Sequence, residues 1–560
     1  MPTLPAFVLA AVQPYLQTLL LWLSNLAYDK LVAKDQQQLL VKLHARLDLT
    51  AIETACAAYH HASGPGTTPT HPVPLLVRAI LVGYLFNYPA RQLEYQIRFN
   101  LLVKWFVGCP IWEPGPDHCT LNRFHAWVCQ KQHRSFFDEV LHQVDRDFPE
   151  ERLQPQIGDT FAMRANAAQE SLTRLLRHTS QYLLRDLQQE RPDLYAQVIA
   201  GQNYQSLLAP KGERPEPFLD DAARQARLQA TVRVVIGLQE RAQAAITGCP
   251  PETLSRVRLR LEDLTKILAD EFALTRDAQG QVVAVKELPK DDKGTYRLGS
   301  ATDRQATYRK HGEEQKDITL GYNVSLSITP KGFTREIHAD TGAQPDQAGV
   351  APLVSEQIKH QGLCPPKIIY DKAAGAGKTH ALVDKASNGQ TQLVAHTIAY
   401  EKRTERFTPE DFTLSEDAKT LTCPNGQTTI KFYPRQGEGR HFRFLPTQCR
   451  DCPLTDTCRG DEVKPENYRQ VFISDYRDQL RAAKAYNQTE DFKADMHFRP
   501  RVERVIFMLT NYDGARRARR RGQNCADFQA KMCATARNLR LWIKQLDLRQ
   551  AAQAALPVAA

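Results

Sequence analysis

The feature that most constrains this chain is a change of hydrophobic period at Ile318. From there Leu320, Tyr322, Val324, Leu326 and Ile328 alternate with mostly polar neighbours, the pattern of a strand with one buried face. Pro330-Lys-Gly332 supplies a turn and residues 333–337 run back, so the segment reads as a β-hairpin. Helical spacing follows at about 347–360, an apolar strand at 367–370, a helix at about 377–387 and a strand at 391–396. A single helix between two strands makes a crossover, which demands parallel neighbours. With a short extended segment upstream at 156–163, the order predicts a mixed α/β sheet.

At 560 residues the chain holds several domains, since one unit takes about 150 residues. Hydrophobic residues at 42% and charged ones at 24% exclude wholesale disorder. A net charge of +10 leans towards a polyanionic partner. The apolar stretch 7–31 is interrupted by Gln13, Pro14, Gln17, Ser24, Asn25 and Asp29, and no charge precedes Asp29. It reads as a buried or dimerising helix, with no membrane span and no secretory signal. Twelve Cys, only one group of them closely spaced, point to a reducing cytoplasm, with thiols free or on metal.

The chain divides by composition. Residues 1–62 form an N-terminal helical region with Leu39, Leu40, Leu43, Leu47 and Ile52 at helical spacing, and the breaker run 63–70 is a linker. Residues 71–150 read as a helix-turn-helix-like DNA-binding domain with helices at 75–85, 90–99, 101–107 and 120–128; a packing bundle is the alternative. Asp117 or Thr120 serves as an N-cap there. Residues 151–167 carry the first strand, and 168–295 a helical insertion, helical from 167 to about 274 with breaks near 210–217 and 248–251. The sheet-bearing core spans 296–400, a cysteine-bearing insertion 401–490, and a C-terminal helix with a basic region 491–550, before a tail at 551–560.

Three carboxylates stand out by position. Asp159 lies in the first strand, Asp371 directly follows the strand 367–370, and Glu503 lies on a helix whose stripe is Val502, Val505, Ile506 and Leu509. Two Asp on neighbouring strands and a Glu on a packed helix can hold two Mg²⁺ (or Mn²⁺) ions about 3.5–4 Å apart for phosphoryl transfer. Asp303, Asp340 and Asp346 are competitors on loops, where a turn or cap role is the ordinary one for an Asp.

The joint order resembles the DDE transposases of prokaryotic insertion sequences. Gly158-Asp-Thr-Phe-Ala-Met-Arg-Ala-Asn166 matches the family's first Asp and following Asn. Thr302-Asp303 and Leu320-Gly-Tyr-Asn-Val324 match a Thr-Asp and Gly-Tyr-Asn pair, and Ile368-Ile-Tyr-Asp-Lys372 the second Asp. Arg499, Glu503 and Gly514-Ala-Arg-Arg517 match the Glu helix and the arginines after it. Residues 76–124 resemble the helical domain of the same proteins. Met496 and Thr510 stand where one branch has Tyr and Lys. The resemblance implies a ribonuclease-H-like catalytic core, with Asp159, Asp371 and Glu503 as catalytic metal ligands.

Two further motifs need separating. Gly375-Ala-Gly-Lys-Thr379 imitates a P-loop, but Lys372 occupies the position of its first glycine. A helix N-terminus touching a DNA phosphate is the better reading there. Cys423, Cys449, Cys452 and Cys458 form a C-x25-C-x2-C-x5-C array, a donor set for a structural Zn²⁺ ribbon with free thiols as the alternative.

Between residues 497 and 549 there are 13 Lys/Arg against 4 Asp/Glu. Arg499, Arg504, Arg516, Arg517, Arg519, Arg520 and Arg521 are candidate phosphate contacts. Arg123 and His125 are weaker candidates for reading transposon ends. The expectation is a nucleoid-associated enzyme cutting and joining DNA at terminal inverted repeats as a homodimer or larger assembly. A non-catalytic DNA-binding relative and a nucleotide hydrolase using 375–379 are the rivals.

Overall fold

The structure is a computed structural model and describes residues 6–63, 71–204, 207, 220–310, 318–397, 406–459 and 467–554. The linker from 64 to 70, the break at 210–217 and the tail from 555 lie outside the described residues. The chain begins with helices α1 (Ala6–Leu31), α2 (Leu39–Arg46), α3 (Thr50–Cys56), α4 (Val73–Leu85), α5 (Ala90–Phe99), α6 (Leu101–Val107), α7 (His118–Lys131) and α8 (Ser135–Asp147). The nearly continuous apolar run of α4 is buried almost throughout, so the other helices gather on it. Asn100 opens α6 by accepting the Leu102 and Val103 N–H groups, and Gly108 closes it at φ +77°. Asp117 opens α7, accepting from the Thr120 N–H at 2.8 Å, which decides between the two expected caps.

Strand β1 (Gln156–Arg164) leads into the insertion α9 (Leu172–Glu190), α10 (Pro192–Ile199), α11 (Asp221–Ala245) and α12 (Ser255–Glu271). This insertion has its own core, including Leu176, Leu183, Val232 and Leu264. It ends in a hairpin, β2 (Phe272–Arg276) and β3 (Val282–Glu287), where helix was expected to about 274. Phe272 and Leu274 prolong the helical apolar spacing, and only the turn at Asp277–Gly280, with Gly280 at φ +81°, betrays the change.

The core sheet is built from β1, β4 (Thr307–Lys310), β5 (Ile318–Ile328), β6 (Thr334–Thr341), β7 (Lys367–Ile369) and β8 (Gln392–Val394). Helix α13 (Val350–Gln361) precedes β7, and α14 (Gly377–Ser387) crosses from β7 to β8. One edge of β5 pairs antiparallel with β1; the other pairs with β4 at its start and β6 further on. β1, β7 and β8 are parallel. The order β6-β5-β1-β7-β8 is the ribonuclease-H-like mixed sheet that the resemblance implied.

Beyond β8 the cysteine insertion holds two three-stranded sheets, β9 (Thr413–Leu414), β10 (Leu421–Thr422), β11 (Thr428–Thr429) and β12 (Phe432–Arg435), β13 (Gly439–Phe444), β14 (Arg469–Ser474). Two short helices, α15 (Pro446–Cys449) and α16 (Thr455–Cys458), lie between β13 and β14. The chain then returns through α17 (Arg477–Asn487), α18 (Glu490–Met496), α19 (Pro500–Asn511) and α20 (Gln523–Ala554).

Side chains alternate across the sheet. Ile368 and Tyr370 pack with α13 and α14 on one face. Ile157, Phe161, Met163 and Ile369 join Val502, Val505 and Leu509 of α19 on the other. That second core runs without a break into the N-terminal helices, with α20 packed against α4, α8 and β6. Among the described residues no single helix is long and apolar enough to cross a membrane.

Candidate active site

Register puts the first two carboxylates together. Ile157 pairs with Ile369 in the parallel β1–β7 ladder, so two residues on, Asp159 and Asp371 leave neighbouring strands on the same face, towards α19. A Cβ at Gly158 would fall 2.6 Å from the Tyr370 ring, so the glycine before Asp159 lets that ring lie across the strand. Asp371 caps a short turn, accepting from the Ala373 N–H at 3.1 Å. Asp159 accepts from the Thr160 N–H at 2.8 Å.

Arg499 reaches between them. Its Nη1 donates to Asp159 Oδ2 at 2.9 Å and its Nη2 lies 4.0 Å from Asp371 Oδ2. The expected phosphate contact is therefore engaged in the carboxylate pair. Burial pushes the Asp371 carboxyl above its usual range; Arg499 pulls it down, and the charges of Asp159 and Asp346 push it up. Burial and the same carboxylates raise the Tyr370 phenol well above its ordinary value.

Asp346, set aside as a loop residue, belongs to this neighbourhood. Asn323 donates to its Oδ1 at 2.8 Å and Arg309 at 3.1 Å. Burial opposes its ionisation, but Arg309 and the hydrogen bonds from Asn323, Arg309 and Thr160 outweigh it and hold the carboxyl low. The Gly-Tyr-Asn motif on β5 was the signal available, since its Asn is the residue that holds Asp346.

Glu503 sits in the first turn of α19, four residues after Arg499 and so on the same helical face. It is exposed, and among the described residues its side chain has no hydrogen-bond or ion-pair partner. The fold thus joins Asp159, Asp371, Arg499 and Asp346 and leaves Glu503 one turn away. Among the described residues, no group of three or more His, Cys, Asp or Glu side chains is arranged to hold a metal ion. Asp159 and Asp371 themselves fit a divalent cation in kind, being hard oxygen donors of like charge side by side with one cation between them.

The arginine run divides in two. Arg516 and Arg517 are exposed; the backbone there pairs in parallel with the end of β1, with Arg164 N–H donating to Arg516 O and Ala518 N–H to Arg164 O. Arg519 donates to Asn87 at 2.8 Å and lies over the Tyr84 ring, Arg520 donates to Asn122, and Arg521 to Asn166 O. These three tie the run to its surroundings. Asn166 donates to Arg519 O at 2.8 Å, which explains the Asn that closes the first motif. Arg504 and Arg123 are exposed, Arg123 donating to Thr120. His125 packs inside against Tyr84, its imidazole pushed down to about 3 by burial and then by Arg520 and Arg519. It is half-buried and engaged with Tyr84.

Gly375 and Gly377 serve packing. A Cβ at Gly375 would meet His396 O, and one at Gly377 would fall 2.8 Å from Tyr476 and Leu480. The cysteines lie on tight turns: Cys423 after β10, Cys449 and Cys458 at the ends of α15 and α16, and Cys452 between. Burial raises the Cys449 and Cys458 thiols, and each feels the other cysteines of the array. All four are free, and they do not converge as a metal cage.

The sheet is ribonuclease-H-like, with one carboxylate inside β1 and another just past its parallel neighbour β7. Two family models match the chain: a Transposase domain (DUF772) matches residues 27–126 and a Transposase DDE domain matches residues 422–542. The two matches, each under half of the chain, support an insertion-sequence DDE transposase. The second match spans the four cysteines, Glu503 and the arginine run. Asp159 and Asp371 lie outside both matched stretches. No curated protein and no solved structure matched the chain.

Proposed function

We propose that this chain cuts and joins DNA at the ends of an insertion sequence, with Asp159 and Asp371 as the paired metal-holding carboxylates. The observation that carries the reading is the pair itself, on adjacent parallel strands and bridged by Arg499. Two divalent ions, Mg²⁺ or Mn²⁺, would supply electrophilic stabilisation of the scissile phosphate. Glu503, one helical turn from Arg499, is the third carboxylate of the reading. Arg499 steadies the Asp159 carboxylate, Arg516, Arg517 and Arg504 offer forks to DNA phosphates, and Arg123 on α7 faces solvent for an end-binding role. The cysteine array enters as a structural Zn²⁺ unit resting on its donor chemistry alone, read by zinc content of the purified protein against Cys449→Ser. Two transposon ends must be handled together, so the working form is a homodimer or larger.

The test is Mg²⁺-dependent strand cleavage of supercoiled plasmid by the wild type, Asp159→Asn, Asp371→Asn and Glu503→Gln. All three variants lose cleavage; wild-type activity in both Asp371→Asn and Glu503→Gln removes the assignment. The exposed position of Glu503 favours one rival, a DNA-binding relative without catalysis. Plasmid binding with no cleavage in Mg²⁺ or Mn²⁺ would select it.

A further inference from the structure

Helix α1 presents apolar side chains that nothing among the described residues covers. Tyr15, Leu16, Leu19, Leu21, Trp22, Leu23, Leu26 and Leu31 are between 40% and 78% exposed. Contiguous apolar patches beyond a few hundred Å² seldom stay bare on a working protein. The helix is not loose. Ser24, Tyr28 and Val32 are buried, the Tyr28 hydroxyl donates to Cys109 O at 2.7 Å, and the Ile111 N–H donates to Ser24 Oγ at 3.0 Å. One face is fastened to the α6–α7 connection and the other is held out.

The spacing of the exposed face is regular. Leu16, Leu19, Leu23 and Leu26 follow steps of three, four and three, and the sequence extends the same steps back to Leu9 and Val12. That 3.5-residue period is a coiled-coil seam of a and d positions, with the fastened Ser24 and Tyr28 at b and f, away from it. No charged residue occurs between 6 and 28, so nothing on the helix selects against a copy of itself. The four seam leucines, with Tyr15 and Trp22 at the flanking g positions, expose on the order of 100 Å² each, roughly the 600 Å² per partner at which stable interfaces begin.

We propose that α1 is a homodimerisation helix, pairing through the Leu16–Leu19–Leu23–Leu26 seam with α1 of a second copy of this chain. This deepens the assembly expected under the proposed function by naming its surface. A lipid surface fits less well, because interfacial helices carry Lys and Arg on the polar face and this one carries none before Lys30.

Sedimentation velocity on the full chain between about 1 and 20 μM reads the mass directly. The expected result is a species of twice the 63.4 kDa chain mass for the wild type and for Asp371→Asn, which separates assembly from catalysis. Leu16→Gln/Leu19→Gln/Leu23→Gln, all at exposed positions, should be monomeric with its circular dichroism retained, a rise in dissociation constant of at least about 100-fold. Leu→Met at the same three positions should keep the dimer, which guards against a folding artefact. A monomeric wild type, a dimer that survives the triple Gln change, or wild-type co-sedimentation with phosphatidylcholine–phosphatidylglycerol vesicles in place of dimerisation overturns the proposal.

Discussion

Strand β5 serves two acidic clusters a few residues apart, and they are built on opposite principles. At Tyr322 the hydroxyl donates to Asp303 at 2.7 and 2.8 Å, and the Gly522 N–H reaches both groups, so a buried carboxylate is closed off by its partners. From Asn323 to Leu326, opposite Asp159, the same strand borders Asp159, Asp346 and Asp371, which crowd like charges around two arginines. The first cluster fastens the glycine after the arginine run to the sheet. The second keeps a carboxyl raised and half exposed. Full pairing of a buried acid is how structure is held, whereas acids crowded together with their charge only partly offset by arginine carry shifted pKa values and suit a cation.

Swapping the loss between the clusters should separate them most widely. Asp371→Asn is expected to lower plasmid cleavage by about 10³-fold or more, the scale of losing a metal-held transition-state contact. Asp303→Asn is expected to cost about 1–3 kcal/mol of stability, read by urea unfolding, because it weakens a buried charged hydrogen-bond set. Its cleavage per folded molecule should stay within about threefold of wild type, as remote substitutions usually do. If Asp303→Asn abolishes cleavage in folded protein, the division between the clusters is wrong.

The sheet was legible because its strands are period-2 or wholly apolar runs separated by single helices, and topology rules then leave few orders. Asp159 was legible as an acid within the first strand and Asp371 as one directly after an apolar strand. Asp346 was not, since it lies off the strands and joins the site through Asn323, Arg309 and Thr160, contacts set by the register of β5 with its neighbours. The hairpin β2–β3 escaped because its first strand continues a helical apolar period. Composition could count the arginines but could not tell which ones the fold would use. His125 likewise reads as polar until the Tyr84 hydroxyl is placed against it.

The arginine run extends the comparison to cations. Arg519 and Arg520 bond Asn87 and Asn122 of the helical part of the chain before β1, while Arg516 and Arg517 are exposed, Arg516 donating to Asn511 at the exposed end of α19. Arg519→Ala/Arg520→Ala should lose about 1–3 kcal/mol in thermal or urea unfolding through broken charged hydrogen bonds and the Tyr84 stacking. Arg516→Ala/Arg517→Ala should leave unfolding nearly unchanged and weaken plasmid binding. Its slope of log affinity against log salt should flatten by about 2, close to one unit per phosphate released. Equal salt slopes for the two double variants would mean that neither pair is reserved for the fold.

The smallest effect distinguishes the clusters by sign. Asp371 has a carboxyl raised above its unfolded value, so the proton it binds favours the fold at low pH, and that contribution is lost as pH rises through the raised value. At neutral pH the charge is held against burial and against Asp159 and Asp346. Asp371→Asn should therefore stabilise the chain at pH 7, by less than about 1 kcal/mol because a side chain 37% exposed is screened by solvent. The gain should shrink as pH falls through the raised value and reach zero at about pH 3, below the ordinary carboxylate value of 3.8, where folded and unfolded groups are both protonated. Asp303→Asn has no such compensation and should destabilise at pH 7. Thermal unfolding of the two variants at both pH values gives four shifts, and a destabilised Asp371→Asn at pH 7 would show that the open cluster, too, is structural.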